Sequence, residues 1–463
     1  MVPATSLSKR DLFLFAALFL LESSIAAMAI LMHRKGERPF AVFLSSRPGI
    51  AFLIAIAAFF IAGWVIVRQY HLASQGARLH HFRLNVAMNL VTVLLILITG
   101  ELVVRVGSQS SLDSEVFGNV VLKPRNWERT KLHYRQLFEK GLADQALLVY
   151  DDRLGWAVGQ NRYSAHKGEG PYWSSSEGLR APHEGVAFPK VEGKTEIALV
   201  GDSFTFGDEV RYEETWGYKL EQLLGEEFQV LNFGVPGYGL GQMYLRYEKA
   251  VRQRSPKVVV FGFISHDLSR TMWVYPFLST EWKVPFSTPR FVLRDGELTN
   301  VNMRPLPSEA IFSRGSISEL PFVEYDSWYR PSEWQKRWYH FSYLVRLFIS
   351  LYPSWAENPE TSEEAVRSIN AAILKTFVRS VKQAGSIPHV LFFPGRSELK
   401  EPSSLLSLSK RVLEQAGVAY IDPTPCLLEV DPADRFLEGH YSPQGNAAVA
   451  KCVYKAVKES LAQ

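Results

Sequence analysis

Residues Thr195–Gly207 read TEIALVGDSFTFG. Ile197–Gly201 is a short, mostly apolar run closed by a polar turn, the pattern of a buried strand in a parallel sheet. Glu213–Leu224 follows with apolar residues at helical spacing: Trp216, Leu220, Leu223 and Leu224. Ser203 therefore falls where a central strand ends and the chain turns toward a helix. In open α/β sheets ligands bind in the crevice at that edge. A serine there either caps the turn or uses backbone N–H groups to hold an oxyanion.

Downstream the alternation continues. Phe228–Gly234, Lys257–Ser265, Pro388–Phe393 and Val418–Asp422 read as strands. Gln242–Arg252, Ser362–Ala384 and Ser403–Gln415 read as helices, and a last helix begins near Ser442 or Pro443. Strands and helices alternating at these lengths predict parallel right-handed crossovers. Residues 268–352 interrupt the pattern with an aromatic-rich insertion, inside which Phe291–Leu298, FVLRDGEL, predicts a hairpin. Its aromatics either pack a small core of their own or offer a flat apolar platform. The domain reading is a membrane region over 1–106, a linker or leading region over 107–190, and an α/β domain over 191–463.

The membrane region rests on three apolar stretches, Leu12–Met32, Ile50–Val67 and Leu84–Gly100, each close to the roughly 20 residues that cross a bilayer as a helix. Basic residues flank both sides almost evenly, so charge does not set the orientation. Three spans from a cytoplasmic amino terminus put everything after Arg105 outside the cytoplasm. The net charge of +4 is spread along the chain, with no Lys/Arg block interleaved with aromatics, which argues against nucleic-acid binding. Cys426 and Cys452 lack metal-ligand spacing. They either pair in an oxidising compartment or lie as two core thiols.

Four pieces converge on one edge of the predicted sheet: Ser203, Gly237, His266-Asp267 and His440. A serine becomes a nucleophile when a histidine within hydrogen-bond reach takes its proton, and that histidine needs a carboxylate to fix its tautomer. Glu438 is the nearest candidate in the chain and Asp434 the second.

The segments GDSFTFG, NFGVPGYG, GFISHDL and EGHYSPQGNAAVA resemble, in order, the four blocks of SGNH (GDSL-type) hydrolases, most closely bacterial membrane-anchored members. The resemblance runs from about Tyr150 to the carboxyl terminus. It implies a flavodoxin-like three-layer α/β/α sandwich with a parallel sheet, preceded here by transmembrane helices. It also implies ester hydrolysis or acyl transfer without metal or cofactor. Carried over by position, Ser203 is the nucleophile, His440 the base, and Gly237 and His266 oxyanion donors beside the Ser203 N–H, while Glu438 stays the nearest candidate carboxylate. The chain departs from the family pattern twice: His266 stands where Asn is usual, and Leu437 where Asp is usual, three residues before the histidine. The implied substrate is an acylated envelope polysaccharide or lipid, handled by a periplasmic domain, with no protein partner indicated. An O-acyltransferase, a binding module that kept the fold but lost activity, and a membrane scaffold are the competing classes.

Overall fold

The computed structural model describes residues 91, 93–94, 97–139, 147–165, 171–279, 285–351, 362–400 and 407–462. The first two predicted spans and most of the third lie outside these. Among the described residues no helix is long and apolar enough to cross a membrane.

Five parallel strands form the central sheet: β1 (Thr195–Gly201), β2 (Phe228–Asn232), β3 (Val258–Phe263), β4 (Ile387–Phe392) and β5 (Tyr420–Ile421). Their order is β2-β1-β3-β4-β5, the flavodoxin-like doubly wound arrangement. The helices that matter to the site are α1 (Ser203–Phe206), α2 (Trp216–Leu224), α3 (Leu240–Arg246), α4 (Ser265–Arg270), α5 (Glu363–Gln383), α6 (Leu408–Ala416) and α7 (Pro443–Leu461). Side chains alternate across β1, so its two faces feed two cores. Ala198 and Val200 join Val259, Phe261 and Val390 against Met243 of α3, Phe377 of α5 and Val412 of α6. Ile197 and Leu199 join Val258, Val260 and Leu391 against Trp216 and Leu220 of α2 and Val449 and Val453 of α7. Helices thus cover both faces, the condition for burying an all-parallel sheet.

The strands predicted to run to Gly234 and Ser265 end earlier, at Asn232 and Phe263. The residues released form the loops that line the carboxyl edge. The aromatic insertion contains the predicted hairpin, Phe291–Arg294 against Glu297–Asn300. Asp295 and Gly296 both take positive φ, 52° and 81°, as a tight two-residue hairpin turn requires. Phe277 and Phe312 pack with Trp127 and Tyr134, forming a small aromatic core.

The chain divides into two compact units, and the division cuts through both the leading region and the insertion. Residues 126–334 and 362–462 form the α/β unit. Residues 97–125 and 335–351 form the other, with a helix over 97–107, three short antiparallel strands and the helix Tyr343–Leu351. Arg346 holds this smaller unit together. It pairs with Glu115 and donates to the carbonyls of Lys123 and Leu122.

Cys426 and Cys452 form a disulfide that ties α7 to the short helix Thr424–Leu428, closing a loop with a sequence separation of 26. By chain entropy a loop of this length is worth about 3.5 kcal/mol. Reduction, or the double change Cys426→Ser/Cys452→Ser, should lower the unfolding free energy by about that amount in urea titrations read by circular dichroism. Unchanged midpoints would show that the bond does not constrain the unfolded chain.

Candidate active site

Ser203 opens α1 directly after β1, and Asp202 caps that turn by accepting the Phe204 N–H at 2.9 Å. The loop after β2 lies against this turn. Asn232 donates to the Thr205 carbonyl at 2.7 Å and accepts the Gly234 N–H at 3.0 Å. A Cβ on Gly234 would fall on the backbone of Thr205 and Phe206, so only glycine permits this approach. Gly237, φ 82°, lies in the same loop. That loop is braced by Trp156, whose indole N–H donates to Pro236 at 3.1 Å, and by Tyr238, whose hydroxyl donates to the Trp156 carbonyl.

His440 comes from the loop between β5 and α7. Asn446 fastens this loop: its amide donates to the carbonyls of Tyr441 and Ser442, each at 3.0 Å, while its oxygen accepts the Trp216 N–H at 3.1 Å. Ser442 caps α7, with Pro443 at the first helical position. The structure brings His440 Nε2 to 2.8 Å from Ser203 Oγ.

The other imidazole nitrogen meets Glu209. Nδ1 lies 2.9 Å from Glu209 Oε1, and the same carboxylate accepts the N–H groups of Gly439 at 3.0 Å and His440 at 3.2 Å. This corrects the carboxylate assignment. Glu438 and Asp434 are both exposed, and among the described residues neither carboxylate touches His440. Nearness in sequence is misleading here, because the tight return at Leu437–His440 carries those side chains outward. With Nδ1–H donating to Glu209, Nε2 is left as the acceptor for the Ser203 hydroxyl. Burial pushes the Glu209 carboxyl up, but the hydrogen bonds from His440 and Gly439 outweigh it and the net shift is downward. Glu209 itself takes φ 71°, a left-handed conformation rare outside glycine. Its N–H donates to the Tyr172 hydroxyl at 2.6 Å, and Arg180 donates to the Val210 carbonyl at 3.0 Å while lying over the rings of Tyr172 and Phe206. The leading region thus supplies two residues that shape the site, neither of which stands out in the sequence. The signal for Glu209 was the Asp-Glu pair directly after GDSFTFG.

Beside the Ser203 turn lies a buried charge cluster. Arg270 pairs with Asp267 at 2.7 Å and approaches Asp202 at 3.6 Å. Burial first, and then Asp202, raise the Asp267 carboxyl well above its ordinary range. His266 stands on the first turn of α4, at the edge where β3 ends, beside the turns that carry Ser203 and Gly237 after β1 and β2. Its side chain is exposed, lies edge-on to Trp273 with ring centres 6.2 Å apart, and makes no hydrogen bond among the described residues. Protein mass on its inner side, and after that Arg270, lower its pKa. Among the described residues no cluster of His, Cys, Asp and Glu could hold a metal ion.

No family model matches the chain, and no curated protein matches it. Several solved structures overlap it in part. A lipase/acylhydrolase from Enterococcus faecalis is 14% identical over 57% of this chain and 96% of its own, with a TM-score of 0.30. An acetyl xylan esterase is 13% identical over 57% and 99%, TM-score 0.30. An acetylxylan esterase from Geobacillus stearothermophilus is 13% identical over 58% and 96%, TM-score 0.30.

Asp208 is a second carboxyl at the imidazole, 4.0 Å from His440 Nε2 and 19% exposed. Burial pushes its pKa up to about 6, opposed by His440 and Arg180 and reinforced by Asp202 and Glu209. A carboxyl raised in the folded state contributes full stability below its unfolded pKa near 4, and loses it as pH rises through about 6. Asp208→Asn removes this titration. The variant should gain on the parent by an order of 2–3 kcal/mol between pH 4 and pH 7 in thermal melts. A stability difference that does not change with pH would show that Asp208 titrates normally.

Proposed function

We propose that the chain is a membrane-anchored serine ester hydrolase of the SGNH type, acting on acylated envelope polysaccharide or lipid on the outer side of the membrane. The observation that carries the chemistry is the continuous line Ser203 Oγ–His440 Nε2 at 2.8 Å and His440 Nδ1–Glu209 Oε1 at 2.9 Å. His440 Nε2 takes the Ser203 proton as Oγ forms a bond to the acyl carbon. Glu209 holds the resulting imidazolium by charge and by the Nδ1–H hydrogen bond. The carbonyl oxygen becomes an oxyanion, received by the N–H groups of Ser203 and Gly237 and by the His266 ring. Collapse breaks the bond to the leaving alkoxide, which takes the proton from Nε2. Water then attacks the acyl-enzyme, His440 accepts its proton, and Ser203 Oγ recovers it as the carboxylic acid departs. A sugar hydroxyl in place of water would make the same site an O-acyltransferase, and product analysis separates the two. The disulfide supports an oxidising compartment. The three apolar stretches support the anchor.

A serine-directed phosphonate should label the protein once, at Ser203, and Ser203→Ala and His440→Ala should abolish labelling. Glu209→Gln should lower kcat on short p-nitrophenyl esters by about a hundred- to ten-thousandfold, as removal of a third member does. Glu438→Gln should stay within about twofold. Labelling that persists in Ser203→Ala, or a Glu438→Gln defect larger than that of Glu209→Gln, would overturn the reading.

His266→Ala should fold normally and lose about a hundred- to a thousandfold in kcat with little change in KM, since an oxyanion donor acts only in the transition state. His266→Asn should keep much of the activity, because an amide N–H fills the same place. Normal turnover in His266→Ala would leave the hole to backbone N–H groups alone.

A further inference from the structure

The helix over 97–107 begins inside the third predicted span. Along it Leu97, Ile98, Leu102, Val103 and Val106 are exposed. The first charges after the uncharged stretch Leu84–Gly100 are Glu101 and Arg105. Both are engaged by the segment that returns from the aromatic insertion. Glu101 accepts the N–H groups of Tyr343 at 3.0 Å and Leu344 at 2.9 Å and the Ser342 hydroxyl at 2.8 Å, which caps the helix Tyr343–Leu351. Arg105 donates to the Phe341 carbonyl at 2.9 Å and lies over the Tyr343 ring. A Cβ on Gly100 would meet Leu344 at 3.4 Å, so the two helices touch where the apolar stretch ends.

At that level the returning segment exposes large apolar side chains. Trp338 is 81% exposed and Phe341 70%, and their rings stack with centres 6.5 Å apart. Val345, on the helix that follows, is exposed as well. Lys336 and Arg337 immediately precede Trp338. Amphipathic aromatics beside basic residues, at the depth where a span meets its first charges, are the composition of a membrane–water interface.

We infer that residues 336–351 form an in-plane membrane contact, with Trp338 and Phe341 inserted in the interfacial layer of the bilayer and Lys336 and Arg337 on anionic headgroups. The inference rests on the membrane anchor proposed above. The bilayer is the occupant because the exposed side chains continue directly from an apolar span, and because the basic residues beside them suit anionic phospholipid.

The test uses the full chain in vesicles of phosphatidylethanolamine and phosphatidylglycerol. Both native cysteines are disulfide-bonded, so one introduced cysteine is labelled uniquely with a fluorophore. Labels at Trp338→Cys and Phe341→Cys report the proposed contact. Leu94→Cys, or Val91→Cys where that does not fold, reports the span, and Leu223→Cys on α2 serves as a water-exposed control. Lipids brominated near the headgroup end of the chain should quench the 338 and 341 labels at least twofold. Lipids brominated deep in the chain should quench the 94 label, and neither should quench the 223 label. If 94 is quenched while 338 and 341 behave like 223, the inference fails and the anchor stands. If no label is quenched, the anchor fails and the inference with it. Quenching at 338 that grows with protein density and not with brominated lipid would assign the face to a second copy of the chain. A 338 label shielded from both lipid and aqueous iodide would assign it to residues 1–90. Either outcome overturns the inference.

Discussion

The hydrogen bond between Glu209 and His440 Nδ1 joins two parts of the chain that the sheet alone would leave apart. The carboxylate takes three N–H donors from one loop: the imidazole and the backbone groups of Gly439 and His440. It thereby sets the loop's position, the ring's orientation and the ring's tautomer together. Asn446 and Trp216 hold the far end of the same loop against α2. Once both ends are fixed, Nε2 has one hydroxyl within reach among the described residues, that of Ser203. The left-handed backbone at Glu209 costs on the order of 1–3 kcal/mol. Tyr172 and Arg180, from outside the sheet, brace the backbone on either side of it.

The charges around Ser203 suit the transient imidazolium of the mechanism proposed above. Asp208 and Glu209 lie at the imidazole, while Arg270 is engaged by Asp202 and Asp267. The proton transfer proposed from Ser203 would place positive charge on His440 in a region already rich in carboxylate. That stabilises the imidazolium more than a neutral pocket would, because the effective dielectric is low. The same carboxylates oppose an oxyanion, so its donors must be local and aimed. The N–H groups and the His266 ring proposed for that role all lie on turns that follow adjacent strands.

The sheet was legible because its strands are buried on both faces and end in turns with strong local signals. The first strand ends at Gly201 as read, and Phe228 begins β2 as expected. Ser203 and His440 were legible for the same reason: each follows or precedes an element whose limits the sequence marks. The third member was not. A search along the chain from His440 reaches Glu438, whereas the carboxylate that meets Nδ1 is 231 residues away and directly follows the turn that carries Ser203. Sequence distance ranks candidates correctly only when backbone direction is known, and the tight return at Leu437–His440 reverses it. Tyr172 and Arg180 were hidden for a related reason. They act through a backbone N–H and a carbonyl, which leave no mark on residue type. The pairing of Cys426 and Cys452 was open because spacing alone does not reveal that two helices place the sulfurs together.

The long insertion is tolerated because of where it leaves the sheet. It lies in the crossover from β3 to β4, between α4 and α5, so β3 pairs with β4 in unbroken register from Val258 with Ile387 to Phe263 with Phe392. Closing a longer loop costs only slightly more entropy than closing a shorter one. Residues leaving the α/β unit in that crossover can therefore join another unit without weakening the strands that carry the site. Part of the insertion stays to build the hairpin and the aromatic core around Trp127. The part over 335–351 instead joins residues 97–125, where Glu101 accepts the Tyr343 and Leu344 N–H groups beside the Val345 N–H that Ser342 caps from within. One interruption in the α/β pattern thus does two separate jobs, and its charged and aromatic residues are divided accordingly.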